Sequence, residues 1–101
     1  MKEYILVLDD VPAHMVPVVA AHASLIAHIE WNMVNSDYMK WFHESFKKCV
    51  CKVNKKEFEK ARFIDYNKVI TENKLAREVA IVLCPRESWP NVVKFAKLWQ
   101  P

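Results

Sequence analysis

Short apolar runs alternate with helical apolar stripes along this chain, and that order predicts an α/β fold. Residues 4–8 and 79–83 are continuously apolar, as is typical of strands buried on both faces. Residues 46–53 and 68–71, rich in Val, Ile and Cys, predict two more strands. Helices are expected at 15–31, at 36–43 with Ser36 as cap, from Asn54 to about Arg62, and from a Ser88 cap to Trp99.

Strands that are apolar on both sides need a helical layer on each side. We therefore expect a three-layer α/β/α sandwich with a small, mixed, four-stranded sheet, formed by one domain over residues 1–101. The last two strands are separated by a short turn and are expected to form an antiparallel hairpin. No apolar run approaches the ~20 residues of a membrane span, so we expect no membrane association.

The predicted first helix carries an apolar stripe that includes one histidine. The stripe has helical spacing and predicts the buried side of the helix; its members are Met15, Val18, Val19, His22, Leu25, Ile26 and Ile29. A buried imidazole needs hydrogen-bonding partners. His22 is thus either a satisfied core histidine or a functional group at the edge of the sheet. Ligands bind outside the carboxyl ends of strands in such sheets, where Asp10 and Glu72 are expected to approach it.

Glycine is absent from the chain, which excludes every phosphate loop built on glycine. Turns that need a positive φ are expected to use Asn or Asp. The three cysteines show no zinc-ligand spacing, so we expect no metal, no cofactor and reduced thiols in a cytoplasmic protein.

Charge is distributed unevenly. Residues 1–46 carry a net charge of −4, whereas residues 47–77 hold ten Lys and Arg against four acids, a net charge of +6. A basic middle favours an anionic partner such as RNA, and a solvated Lys/Glu surface is the alternative explanation.

In the order of its elements the sequence resembles the peptidyl-tRNA hydrolase type of archaea and eukaryotes. That family opens with an apolar strand ending in Asp and continues to a helix with a Ser-His-Ala segment; here Asp10 and Ala21-His22-Ala23 take those places. A Lys-rich strand, a helix, a strand ending in an acid, and a strand ending in Pro85 follow. The resemblance implies a hydrolase that acts on the ester of a peptidyl-tRNA.

The resemblance also assigns individual positions. His22 is the candidate base, with Glu72 or Asp10 as the orienting acid; a second register, with Asp65 in place of Glu72, would break the strand at 69–71. Met15 occupies the place of the family's functional lysine, and the threonines after the family's acid are replaced. Replacement donors or cations are the remaining candidates for ligand binding: His14, Lys74, Arg77 and Arg86.

Two functions follow from these residues. The first is ester hydrolysis on a tRNA or another phosphate-bearing ligand, with His22 as base. The second is a non-catalytic module on the same fold that binds a nucleotide, RNA or protein, which the loss of the lysine favours. A small chain with this many aromatic residues is also a candidate homodimer.

Overall fold

The two continuously apolar runs lie side by side at the centre of a five-stranded mixed sheet. The computed structural model describes residues 1–100. The strands are β1 (Lys2–Leu8), β2 (Lys47–Val53), β3 (Asn67–Glu72), β4 (Arg77–Arg86) and β5 (Lys97–Leu98). The helices are α1 (Val16–Trp31), α2 (Ser36–His43), α3 (Lys55–Ala61) and α4 (Asn91–Lys94), with a 3-10 turn at Ala13–Met15 before α1. Within residues 1–100 no helix is both long and apolar enough to cross a membrane.

The sheet has the order β3-β4-β1-β2-β5. β1 and β2 are parallel, and β4 runs antiparallel to both of its neighbours, β1 and β3. Alternate residues of β1 face opposite sides: Ile5 and Val7 join one core with α1 and α2, and Leu6 joins another with α3 and α4. Helices therefore cover both faces, as the apolar runs predicted.

The first helix buries a face that is rotated from the one its stripe predicted: Val19 is buried and Met15 and Ile26 are half-buried, as expected, but the rest of the stripe faces outward. Val18, His22, Leu25 and Ile29 are exposed. The side packed on the sheet is made of smaller residues and the terminal tryptophan: Val16, Val19, Ala23, Ala27 and Trp31. Small side chains let α1 approach the sheet closely, where the strands already supply large apolar groups. His22 is consequently not the core histidine that the pattern suggested.

The capping residue was predicted correctly for α3 and is off by one residue for α2. Asn54 and Glu57 form the predicted capping box, with both bonds at 2.8 Å. For α2 the cap is Asn35 and not Ser36, because the Asn35 side chain accepts from the N–H of Tyr38 at 2.9 Å. Ser36 is the first residue inside the helix.

The predicted long final helix is wrong. The helix α4 covers only Asn91–Lys94, begins from Pro90 rather than Ser88, and is followed by β5. β5 pairs with β2, and the N–H of Trp99 donates to the carbonyl of Val50 at 2.8 Å. This pairing satisfies backbone groups that would otherwise be open along the outer edge of β2, which explains why the sheet has five strands instead of four.

Four turns adopt the left-handed region without glycine. Their residues are Met33, Phe46, Tyr66 and Ala76, with φ between 52° and 70°. None is the Asn or Asp that we expected. A side chain with a Cβ costs about 1–2 kcal/mol in this region, so the glycine-free chain carries local strain at each of these turns.

Candidate functional site

At one edge of the sheet a histidine of α1 approaches a glutamate at the end of β3. The Nε2 atom of His22 lies 3.8 Å from Oε2 of Glu72. The imidazole is 52% exposed and the carboxylate only 10%. The N–H of Lys74 donates to Oε1 of Glu72 at 3.2 Å and holds the carboxylate in place. An oriented carboxylate beside an accessible imidazole is the arrangement that suits a general base.

Two cations lie at the same edge, Lys74 in the turn between β3 and β4 and Arg77 at the start of β4. Lys74 is exposed, and Arg77 pairs with Glu72 in the register of the two strands. The Nη2 atom of Arg77 donates to Oδ1 of Asp10 at 3.0 Å. Asp10, which we expected beside His22, is thus bonded to Arg77, and Glu72 is the acid that approaches the imidazole. We call the group His22, Glu72, Lys74 and Arg77 the candidate rim.

The 3-10 turn before α1 holds the other two predicted binding residues. His14 is exposed there. Met15 is half-buried and packs against the core beneath α1. A thioether carries no charge and donates no hydrogen bond, so Met15 contributes packing where the resemblance implies a functional lysine.

Arg86 lies at the opposite end of the molecule from the candidate rim. The strand β4 contains ten residues, a length of about 30 Å, with Arg77 at one end and Arg86 at the other. The Arg86 guanidinium donates to the carbonyl of Asp65 and stacks at 5.2 Å on the ring of Trp89. The prediction that Arg86 can serve the site of His22 is wrong, because β4 runs antiparallel and carries Arg86 away from Glu72.

The basic middle of the sequence does not form one surface. The strands β2 and β3 lie on opposite flanks of the sheet, and α3 covers the face opposite α1. Several of the cations are also neutralised: Arg62 pairs with Glu78 at 2.7 Å and Lys68 with Glu30 at 3.4 Å. An anionic ligand at the candidate rim would therefore meet a few cations rather than the full +6.

Five surface cavities surround the sheet, and neither His22 nor Glu72 lines any of these five. A cavity of about 290 Å³ contains Asp10 and Arg77 and lies on the side of α3. Another, of about 440 Å³, lies between the start of α2 and the end of β4 and contains Arg86. The imidazole of His22, 52% exposed, is open to solvent, whereas the Glu72 carboxylate beside it is only 10% exposed.

A buried acid that sequence reasoning missed lies near the start of β1. Glu3 is 0% exposed, and both of its carboxylate oxygens lack a hydrogen-bond partner among residues 1–100. Burial raises the pKa of Glu3 to about 7, although the charge of Lys48, its neighbour across on β2, lowers it in part. The signal was present in the sequence: Glu3, Ile5 and Val7 alternate and therefore share the buried face.

Two of the three cysteines, Cys51 and Cys84, offer no nucleophile. All three thiols are free. Burial raises the pKa of Cys51 to about 11 and that of Cys84 to about 12. A thiol that stays protonated at neutral pH is a poor nucleophile, so Cys51 and Cys84 serve as small core groups.

Comparison of the chain with models of protein families and with curated proteins finds no match. Among the predicted site residues, the structure brings His22, Glu72, Lys74 and Arg77 to one edge, joins Asp10 to them through Arg77, and separates Arg86 from them.

Proposed function

We propose that this chain is a divergent protein of the peptidyl-tRNA hydrolase type, which binds a phosphate-bearing ligand such as the end of a tRNA at the candidate rim and hydrolyses an ester there slowly. The approach of His22 to Glu72 carries this proposal. The element order adds support, since a strand before Asp10, a helix with His22 and a strand ending in Glu72 is the order that the resemblance implies.

The proposed chemistry uses the imidazole as a base. His22 takes a proton from a water molecule, whose oxygen bonds to the ester carbonyl carbon. When the ester C–O bond breaks, the imidazolium returns the proton to the departing hydroxyl. Glu72 holds the ring and stabilises its charged form. The present 3.8 Å separation is longer than a hydrogen bond, and such contacts often tighten only when substrate binds.

The cations of the candidate rim have a second role in this proposal. In it, Lys74 and Arg77 contact phosphate oxygens of the ligand. Arg77 is partly occupied by Asp10, and Met15 supplies no charge at the position that the resemblance gives to lysine. Removing one such donor typically costs about 10²–10³ in rate, so we expect turnover to be slow.

A non-catalytic binding module is the second candidate function. The observation that favours it is the open setting of the imidazole, which is 52% exposed. A site that does not exclude water gives little electrostatic advantage to a transition state. In this case the candidate rim binds the same anionic ligand without converting it.

The test is incubation of the protein with peptidyl-tRNA, measuring both release of the peptide and binding of the RNA. We expect slow turnover that falls about 10²-fold in His22→Gln and in Glu72→Gln. The matched control is His43→Gln, which alters an exposed histidine on α2 and should change neither quantity.

The outcomes separate the two functions. Turnover that depends on His22 supports the hydrolase. Saturable RNA binding without product, weakened by Lys74→Ala and Arg77→Ala, supports the binding module. Absence of both turnover and binding, or turnover that survives His22→Gln unchanged, contradicts the assignment of this site.

A further inference from the structure

The strands β2 and β5 present a row of exposed lysines on one face of the sheet. The helices on that face, α1 and α2, pack on β1, β3 and β4. Lys48 and Lys52 are exposed and alternate with Val50, which is half-buried against the core of α1, so both lysines lie on the α1 face of β2. Lys97 of β5 pairs with Lys52 in the register of the two strands and extends the row across the sheet.

The charge of these two strands has one sign. Together, β2 and the segment 91–98 hold five lysines and no Asp or Glu. Lys48, Lys52 and Lys97 form no ion pair with a carboxylate of residues 1–100. The ammonium of Lys48 lies 3.3 Å from the ring centroid of Phe46, a contact that leaves its charge unneutralised. Three such cations on one face attract a polyanion.

Aromatic rings lie beside these lysines. Trp99 is half-buried, its N–H donates to the carbonyl of Val50, and the ammonium of Lys52 lies 5.9 Å from its ring centroid. Phe95 is 72% exposed. Together with Lys52 and Lys97 it lines a surface cavity of about 350 Å³. A cation beside an exposed ring can contact a phosphate while the ring stacks on the neighbouring base.

We infer that these residues, called the lysine strip (Lys48, Lys52, Lys97, Phe95 and Trp99), bind a single-stranded nucleic acid. Four residues of β2 separate the two outer lysines of this strand, a distance of about 13 Å, so a strand laid along β2 contacts both. The rings favour unpaired bases over a duplex, in which the base faces are already stacked. They also favour a nucleic acid over an acidic peptide, whose carboxylates would use only the lysines.

Two acids lie at one end of the lysine strip and limit its affinity. Asp9 and Glu57 line the same cavity as Lys52 and Lys97. The carboxylate of Glu57 is engaged, because it accepts from the N–H of Asn54 in the capping box of α3. Asp9 is exposed and repels a phosphate at that end. We therefore expect binding that is moderate and strongest at low salt.

The inference is independent of the proposed function. The candidate rim lies on the flank of β3, whereas the lysine strip lies on β2 and β5, and β4 and β1 stand between the two flanks. The strands β2 and β3 are thus about 14 Å apart. Variants of Lys74 and Arg77 alter the candidate rim alone, and variants of Lys52 and Lys97 alter the lysine strip alone, so either inference can fail without the other.

The experiment is fluorescence anisotropy of a labelled oligouridine of about 12 nucleotides, titrated with the protein at several salt concentrations. For three phosphate contacts we expect the logarithm of the association constant to fall with the logarithm of salt concentration with a slope of about −2. Lys52→Ala combined with Lys97→Ala should reduce the slope to about −0.7 and weaken binding at low salt about 10-fold or more. Phe95→Leu keeps an apolar side chain but removes the ring, and should weaken binding about 5-fold or more with the slope unchanged.

Lys56→Ala combined with Lys60→Ala is the matched control, because it also removes two exposed lysines, both on α3 at the opposite face of the sheet. It should leave the affinity and the slope unchanged. Absence of oligouridine binding to the wild type at low salt overturns the inference, as does an equal loss in the control. A duplex of the same length that binds as tightly overturns it too, since the rings then contribute nothing. Binding that Lys74→Ala abolishes and the lysine-strip variants leave intact belongs to the candidate rim and also overturns it.

Discussion

Two glutamates are buried in this protein, at opposite ends of the sheet, and their surroundings differ. Glu3, near the start of β1, has no exposure and no hydrogen-bond partner among residues 1–100. Glu72, at the end of β3, accepts from the N–H of Lys74 and lies 3.8 Å from the imidazole of His22. Both acids lie next to cations in the fold: Glu3 pairs across β1–β2 with Lys48, and Glu72 across β3–β4 with Arg77.

The comparison separates burial from function. Burial raises the pKa of Glu3 to about 7. The Glu3 carboxyl group holds no other side chain in place, so its ionised form only destabilises the fold. The contacts of Glu72 hold its carboxyl group beside a half-exposed imidazole, and the proposed site rests on that arrangement. A buried acid becomes a candidate site through what it touches.

The largest expected effect is on the pH dependence of stability, and Glu3 causes it. Its pKa is about 7 in the folded chain and 4.5 in the unfolded chain, so the folded state holds the proton more tightly. Stability from this group is complete below pH 4.5 and is lost as the pH rises through about 7. The shift corresponds to about 3 kcal/mol in the free energy of unfolding, measurable by urea denaturation across this range.

Glu3→Met is the control for that profile, because it removes the titrating group and keeps an unbranched side chain of similar size. The difference in stability between the wild type and Glu3→Met should grow between pH 4.5 and 7. The groups that face Glu3, namely Lys48, Tyr38 and Cys84, are retained in both proteins. Parallel profiles for the two would show that Glu3 does not titrate as its burial requires.

The second prediction concerns the other end of the sheet, where an added positive charge should increase the rate of hydrolysis. Met15→Lys supplies a cation at the start of α1, and we expect peptidyl-tRNA hydrolysis to rise by up to about 10²-fold. Because Met15 is half-buried, the lysine stem can keep the packing while its amine reaches water. Val34→Lys, after the far end of α1, is the matched control and should leave the rate unchanged. Equal gains in both variants would indicate a general charge effect.

The third prediction compares the two acids in one measurement. Glu72→Gln keeps an oxygen for the N–H of Lys74, so the free energy of unfolding should change by less than about 1 kcal/mol. Above neutral pH, Glu3→Met should instead gain about 3 kcal/mol, since the cost of ionising the buried Glu3 carboxyl is removed. Urea denaturation of both variants beside the wild type gives the two values. A larger loss of stability in Glu72→Gln would indicate that Glu72 stabilises the fold and is not reserved for the candidate site.

The fold was largely predictable because its strands are apolar runs. Four strands, the hairpin and the layers follow from such runs and from the turns between them. The strand β5 could not be predicted, since two residues have no periodicity and their pairing depends on the open edge of β2. The side of α1 that faces the sheet could not be predicted either. Both sides of this helix are apolar, and only the close packing of its small residues determines which side is buried.

The candidate site was predictable in part, because the order of the strands and helices was predictable. The sequence predicted that His22 of α1 lies near Glu72, because the end of β3 was expected at the edge of the sheet that α1 approaches. The prediction that His22 belongs to the buried side of α1 was wrong. The position of Arg86 could have been predicted, because in an antiparallel hairpin the end of β4 lies far from the end of β3, where Glu72 is. The bond between Arg77 and Asp10 could not be predicted, since it joins the first residue of β4 to a loop after β1 that the sequence pattern does not position.

The smallest expected effect on stability comes from breaking the Arg77–Asp10 pair, and it tests whether the candidate rim binds anions. Both side chains are substantially exposed, and such pairs contribute about 0–1 kcal/mol, so Asp10→Asn should change the free energy of unfolding by about 0.5 kcal/mol or less. Freed from Asp10, Arg77 should bind a tRNA end more tightly and add about one phosphate contact to the salt dependence of binding. Glu30→Gln, which frees Lys68 at the other end of β3, is the matched control. If both variants tighten binding equally, the gain reflects net charge and the candidate rim has no special affinity for the RNA; if only Asp10→Asn does, Arg77 contacts the ligand.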